Sequence, residues 1–203
     1  MAAIHHHNPA REMQKYLKNN DNHVIEKTTF SDIEQARRIA RVLAVDIVNY
    51  ACGNSKKMPN RYARTLRRTV DELTQRHCIL FNGMVNKLNL DEETGYRTFT
   101  NIINEMFSDK HYNWGRIVAV YAFAARLARY CVDENMNDYC PQIATYLGDY
   151  VAEHLAEWIA ENGGWPSFDE YFPEQRSLED KIWRGLLFTA LGLGTLATML
   201  AVK

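Results

Sequence analysis

A chain of 203 residues, 46% of them hydrophobic, is long enough to bury one sizeable core, and one domain with extensions is its natural organisation. A formal net charge of -1, with no basic face in the pattern, excludes nucleic acid as the main partner. Cys52, Cys78, Cys131 and Cys140 lack metal-ligand spacing, and no apolar signal segment opens the chain, so the expectation is buried thiols in a reducing compartment.

Residues 1–30 read as a polar arm. Its His5, His6 and His7 lack a fourth ligand or a fixed scaffold, so no metal is assigned to them. From Ser31 the pattern becomes helical, with Ile33, Ala36, Ile39, Ala40, Leu43, Ile47 and Tyr50 on one stripe and Ser31 before Glu34 as a capping box. That helix ends near Gly53, and residues 53–60 form a loop. A second amphipathic helix runs from about Arg61 to His77, with Tyr62, Leu66, Thr69, Val70 and Leu73 inward and its arginines outward. A third apolar segment, Cys78–Leu88, follows, closed by the polar cluster 86–95. Phe99, Ile102, Ile103, Met106 and Phe107 then mark another helix, ending at 108–112.

The segment Asn113–Tyr130 carries no charge between Ile117 and Ala125, so a helix here is apolar on every side and is expected to be buried all round. It is shorter than the roughly 20 apolar residues of a membrane span. Asn113 suits the N-cap, and Gly115 and Arg116 fall in the first turn, from which a side chain can reach the surface. After a polar break at 133–138, Ile143, Tyr146, Leu147, Tyr150, Val151, Leu155, Trp158 and Ile159 recur at helical spacing, opposite Asp149, Glu153, Glu157 and Glu161. Glu153, His154 and Glu157 read as part of that solvated face rather than a metal site. Asn162, Gly163 and Gly164 stop the helix, and Trp165-Pro166 opens a short one to Phe172. The fold class is all-α: a single globular helical bundle with a buried central helical hairpin, over residues 31–175.

Residues 176–184 form a linker, and 185–203 read as a C-terminal membrane anchor. Gly185–Val202 is free of charge and would span ~27 Å as a helix, close to a bilayer's hydrocarbon thickness. The alternative is a helix packed on the protein's own surface. No nucleophile–base pair or phosphate-binding glycine loop is recognisable, which gives no support to an enzyme.

Asn113-Trp114-Gly115-Arg116 and Trp158-Ile159-Ala160-Glu161-Asn162-Gly163-Gly164-Trp165 resemble the first and second homology motifs of the Bcl-2 family of apoptosis regulators. The segment from Leu66 to Leu73, with Leu66 five residues before Asp71, resembles the third motif (BH-3). The segment from Leu43 to Tyr50 resembles the fourth, found on the first helix of survival-promoting, Bcl-xL-like members. The resemblance implies a non-enzymatic module without a cofactor, whose apolar groove takes an amphipathic BH-3 helix from pro-apoptotic relatives. Position by position, it implies a groove lined by Leu73, Phe81, Met84, Ile102, Glu105, Met106, Val118, Phe123 and Phe172, with Asn113 and Gly115 at the rim. Arg116 would pair with the aspartate of the incoming helix. It further implies the cytoplasmic face of an intracellular membrane, the mitochondrial outer membrane or endoplasmic reticulum, with a homo- or heterodimer left open. The fourth motif, the Glu-Asn-Gly-Gly-Trp form of the second and the bulky Val70 before Asp71 favour protection. The rival is a pore-forming executioner that permeabilises the mitochondrial outer membrane. His77 departs from an aromatic groove position.

Overall fold

The computed structural model describes residues 29–54, 57–85 and 95–174, without the side chains of Leu80 and Met84. The arm 1–28, the linker 176–184 and the expected anchor 185–203 lie outside the described residues, as do the histidines at 5–7 and the end of the third apolar segment. No strand occurs among the described residues, and no helix among them is long and apolar enough to cross a membrane.

Helix α1 spans Phe30–Ala51 and starts earlier than the Ser31 cap predicts. Thr29 is the cap: its hydroxyl accepts from the Asp32 amide at 3.2 Å, and the Asp32 carboxylate accepts from the Thr29 amide at 2.9 Å. Thr29 and Asp32 thus satisfy two backbone donors reciprocally, leaving Ser31 in the first turn. Gly53, at φ +77°, ends the run in a conformation that side chains with a Cβ resist. Helix α2 (Arg61–Arg76) is capped by Asn60, and α3 (Cys78–Val85) follows it across His77. Helix α4 is Gly95–Met106.

Helix α5 (Trp114–Asp133) is the centre of the bundle. Every residue from Trp114 to Ala125 is buried, which over 117–125 is what the charge-free run predicts. Asn113 caps it by accepting from the Arg116 amide at 2.8 Å. Helices α1, α2, α3 and α6 (Cys140–Tyr150) pack against it. The Tyr121 hydroxyl inside this core donates to the Ala40 carbonyl at 3.2 Å, and burial raises its pKa.

Helix α6 continues through a π turn, Val151–Leu155, into α7 (Ala156–Glu161). Its apolar residues at 143, 147, 151, 155 and 159 recur every four positions, a spacing that drifts by ~40° per step on an ideal α-helix. The wide turn absorbs that drift, so all five are buried. Gly148 allows α6 to meet α1 closely: a Cβ there would lie 3.4 Å from Arg41 Cα and 3.5 Å from Ala44 Cβ. Helix α8 (Gly164–Tyr171) is entered through Gly163 at φ +82°. It carries Trp165, whose indole donates to the Ala36 carbonyl at 3.1 Å and packs with Trp114, itself 5.2 Å from Trp158. The three tryptophans are structural, joining both ends of the hairpin.

Two expectations need correction. The α2 arginines do not all face solvent: Arg67 is 5% exposed, with its Nε 2.9 Å and Nη2 2.5 Å from the carboxylate oxygens of Asp46. A buried guanidinium requires such a partner, and the Asp46 carboxylate lies on α1 facing it. The thiols are not uniformly buried either. Cys131 and Cys140 are, Cys52 is half-buried, and Cys78 is exposed because α3 turns that face outward.

Candidate functional site

The residues assigned to a groove come from several elements. Leu73 lies on α2, Phe81 and Met84 on α3, Ile102, Glu105 and Met106 on α4, and Gly115, Arg116, Val118 and Phe123 on α5, with Asn113 at its cap and Phe172 after α8. Leu73, Phe81, Ile102, Met106, Val118, Phe123 and Phe172 belong to one apolar cluster, none more than 4% exposed. All seven are therefore packed into the main hydrophobic core rather than lining open space. Phe123 stacks on Phe99 at 5.7 Å between centroids. Phe172 sits apart, on the α8 aromatic group: it is 5.1 Å from Phe168, and its carbonyl accepts from Arg68 at 2.5 Å. Glu105 and Asn113 are half-buried and Gly115 is buried. The Met84 side chain lies outside the described residues. Ile79 on α3, 87% exposed beside this cluster, was not anticipated.

Arg116 does not reach the surface as its first-turn position suggests. It is 4% exposed, and its guanidinium forks onto Asp109, seven residues earlier. Nη2 is 2.6 Å from Asp109 Oδ2, while Nη1 contacts Oδ1 and also donates to the His111 carbonyl at 2.7 Å. Lys110, at φ 56°, turns the loop, and the His111 amide donates to Oδ1 at 3.0 Å. The Arg116 fork, then the His111 amide, hold the Asp109 carboxyl well below the usual range. The Asp109 side chain remains 50% exposed. One end of the apolar cluster thus carries an arginine oriented to hold a carboxylate, with that carboxylate at the solvent boundary.

The third-motif residues point elsewhere. Leu66 and Val70 are core, and exposed Asp71 accepts from the Tyr50 hydroxyl at 2.7 Å. That bond raises the tyrosine's pKa. Arg67, clamped to Asp46, also lies over the Tyr50 ring at 4.7 Å. Helix α1 therefore grips α2 along the stretch resembling a BH-3 ligand. Half-buried His77 has its pKa lowered by burial and then by Arg76. Glu153, His154 and Glu157 are exposed. Asp46, Arg67 and Asp109 were missed in the sequence; helical periodicity carries no signal for the partner of a buried charge, though a lone aspartate in the loop before Arg116 was the available hint for one of them.

A buried central helix wrapped by amphipathic ones, with a buried arginine holding a carboxylate at the solvent boundary, defines an all-helical bundle domain. The sequence matches the family described as apoptosis regulator proteins, Bcl-2 family, over residues 66–165. It is 34% identical over 141 residues to Bcl-2-like protein 1 of Sus scrofa, covering 66% of this chain and 60% of that protein. It is 37% identical over 123 residues to apoptosis regulator Bcl-2 of Cricetulus griseus, covering 60% and 52%. The chain carries a Bcl-2 family domain. It spans about half to three-fifths of the length of these curated relatives.

Solved structures share the fold. The zebra-fish pro-survival protein NRZ in its Bad BH3 complex superposes with a TM-score of 0.64 at 24% identity, over 70% of this chain and 98% of that one. Trichoplax adhaerens trBcl-2L2 bound to trBak BH3 gives 0.59 at 25%, over 68% and 99%.

Proposed function

We propose that this protein is a survival-promoting Bcl-2 homologue that sequesters BH-3 helices of death-promoting relatives in a groove between α2, α3, α4 and α5. The observation that carries the reading is the Arg116 fork, an almost fully buried guanidinium holding a carboxylate at the end of an apolar cluster. An incoming helix would insert apolar side chains into the cluster as α3 and α4 move outward, and its aspartate would displace or share Asp109 on Arg116. Solved relatives bound to BH3 segments, one of them a pro-survival protein, support the same reading. Apolar burial, at ~25 cal/mol per Å² before association costs, would supply most of the affinity. Arg116 would fix register, since a planar fork of donors matches a carboxylate. The role is regulatory binding without catalysis, at the cytoplasmic face of an intracellular membrane reached through residues 185–203.

The test is calorimetric titration with a BH-3 peptide. A charge-assisted bond contributes ~1.5–3 kcal/mol, so Arg116→Ala weakens binding at least about tenfold. Unchanged affinity removes Arg116 from the mechanism. The buried, charge-free stretch 117–125 of α5 favours one second reading, a pore-former that inserts its central hairpin after activation. Dye release from liposomes on adding the protein and an activating BH-3 peptide would support that rival, whereas suppression of release by an executioner supports protection.

A further inference from the structure

Arg126 interrupts the apolar face of α5. It follows Phe123 by three residues, Ala122 by four and Ala119 by seven, so it projects from the same side of the helix as they do. Its Nε donates to Asn82 Oδ1 at 2.6 Å, next to Phe81 on α3, and so the side chain bridges α5 to α3 across the proposed groove. Its Nη1 is buried and has no hydrogen-bond partner among the described residues. A buried donor in that condition costs free energy that a suitable acceptor would recover. Neither neighbouring charged group bonds this nitrogen. Asp71 accepts from Tyr50, and Arg129 pairs with Asp133 at 3.2 Å. Both line, with Tyr50, Ala51, Val70, Thr74 and Arg126 itself, a small hollow between α1, α2 and α5.

We propose that Arg126 is a second cationic subsite of the groove, taking an Asp or Glu side chain of the incoming helix two to three turns away from the aspartate that meets Arg116. The inference rests on the groove reading above and assigns that groove a ligand preference. Ten residues separate the two arginines on α5, an axial distance of ~15 Å, which two to three turns of a bound helix span. The acceptor must be a side chain, because backbone carbonyls within a helix are already bonded. A carboxylate is the best match, since its two oxygens fit the guanidinium fork and bind it more strongly than the neutral Asn82 amide does. As α3 moves outward to admit the helix, the Asn82 bond is exchanged for that carboxylate.

The probe is a synthetic amphipathic peptide with the Leu-x-x-x-x-Asp spacing. Glutamate, alanine or lysine is placed singly at each position two to three turns to either side of the aspartate, and each peptide is titrated against the full chain. The expected result is one position at which glutamate binds on the order of tenfold tighter than alanine, with lysine weaker than either. In Arg126→Gln the glutamate-to-alanine ratio at that position falls to about one, while the effect of changing the peptide's aspartate persists. Should the variant fail to fold, the glutamate-to-lysine ratio on the unaltered protein carries the test. A flat scan with the alanine peptide still bound, or the same ratio in Arg126→Gln, overturns the subsite and leaves the groove standing. Failure of every peptide to bind overturns the groove, and the subsite with it.

Discussion

The Asp46–Arg67 pair is a sharp test of how this fold is held. Both side chains are 5% exposed as residues, they meet through two hydrogen bonds of 2.9 and 2.5 Å, and they join α1 to α2 across 21 positions of sequence. Removing one partner of a buried pair typically costs about 3–5 kcal/mol, because the survivor stays desolvated. In Asp46→Ala the guanidinium keeps the Tyr50 ring at 4.7 Å and the Lys57 carbonyl at 3.4 Å, which places the cost near the lower end, about 3 kcal/mol. That is a substantial part of the 5–15 kcal/mol that typically stabilises a domain. At roughly 2–4 °C per kcal/mol for a domain of this size, Tm falls by about 10 °C.

Arg67→Ala strands the Asp46 carboxylate in the same way and should cost a similar amount, about 3 kcal/mol. Asp46→Leu combined with Arg67→Met removes both charges and stays within about 1 kcal/mol of the parent. Thermal and urea unfolding followed by far-ultraviolet circular dichroism measure all four proteins. A single-variant loss below about 1 kcal/mol would refute the claim that this pair is desolvated, and a double variant as unstable as Asp46→Ala would refute the stranded-charge account.

Gly163→Ala forces a Cβ into φ +82° and onto the Ser167 hydroxyl, and should cost about 1–2 kcal/mol in urea unfolding, whereas a neutral result would mean the turn relaxes freely. Among the four thiols, exposed Cys78 should alkylate first with iodoacetamide at pH 8. Cys52, pushed up to about 12 by burial and by Cys140 3.0 Å away, and Cys131, pushed up to about 11 by burial, should lag by at least about tenfold, read by mass spectrometry. The Asp109 carboxyl has a folded-state pKa below its unfolded value, so its pairing stabilises the protein fully above the ordinary carboxylate range and loses that contribution as pH falls below about 4. The stability gap between the parent and Asp109→Asn should thus be constant from pH 7 to about 5 and shrink below about 4; a gap independent of pH down to 2 would remove the ionised pair as its source.

Sequence determines what is local in this protein. The charge-free run 117–125 requires burial whatever surrounds it, and it forms the middle of α5. Asn113 is legible as a cap because a cap satisfies amides two or three residues away. The Asn162–Gly164 stop and the apolar stripes of α2, α4 and α6 follow from periodicity in the same way. The pair of homology motifs also survives in the linear order of residues, which is why the family is legible in the sequence alone.

Tertiary structure decided where charge could be buried and what would hold it. The Ser31 position offered a capping box as good on paper as Thr29, and only backbone geometry chose between them. Arg67 and its neighbouring arginines look alike in sequence, yet only Arg67 turns inward onto Asp46. Arg116 sits in a first turn that sequence places at the surface, and the loop through Lys110 brings Asp109 over it and closes it in. Arg126 likewise acquires its meaning from Asn82 on another helix. Hydrophobic periodicity and capping act over one or two turns, so they can be read along the chain. The desolvation of a charge depends on every group packed around it, so its partner and its role appear only once the helices are in place.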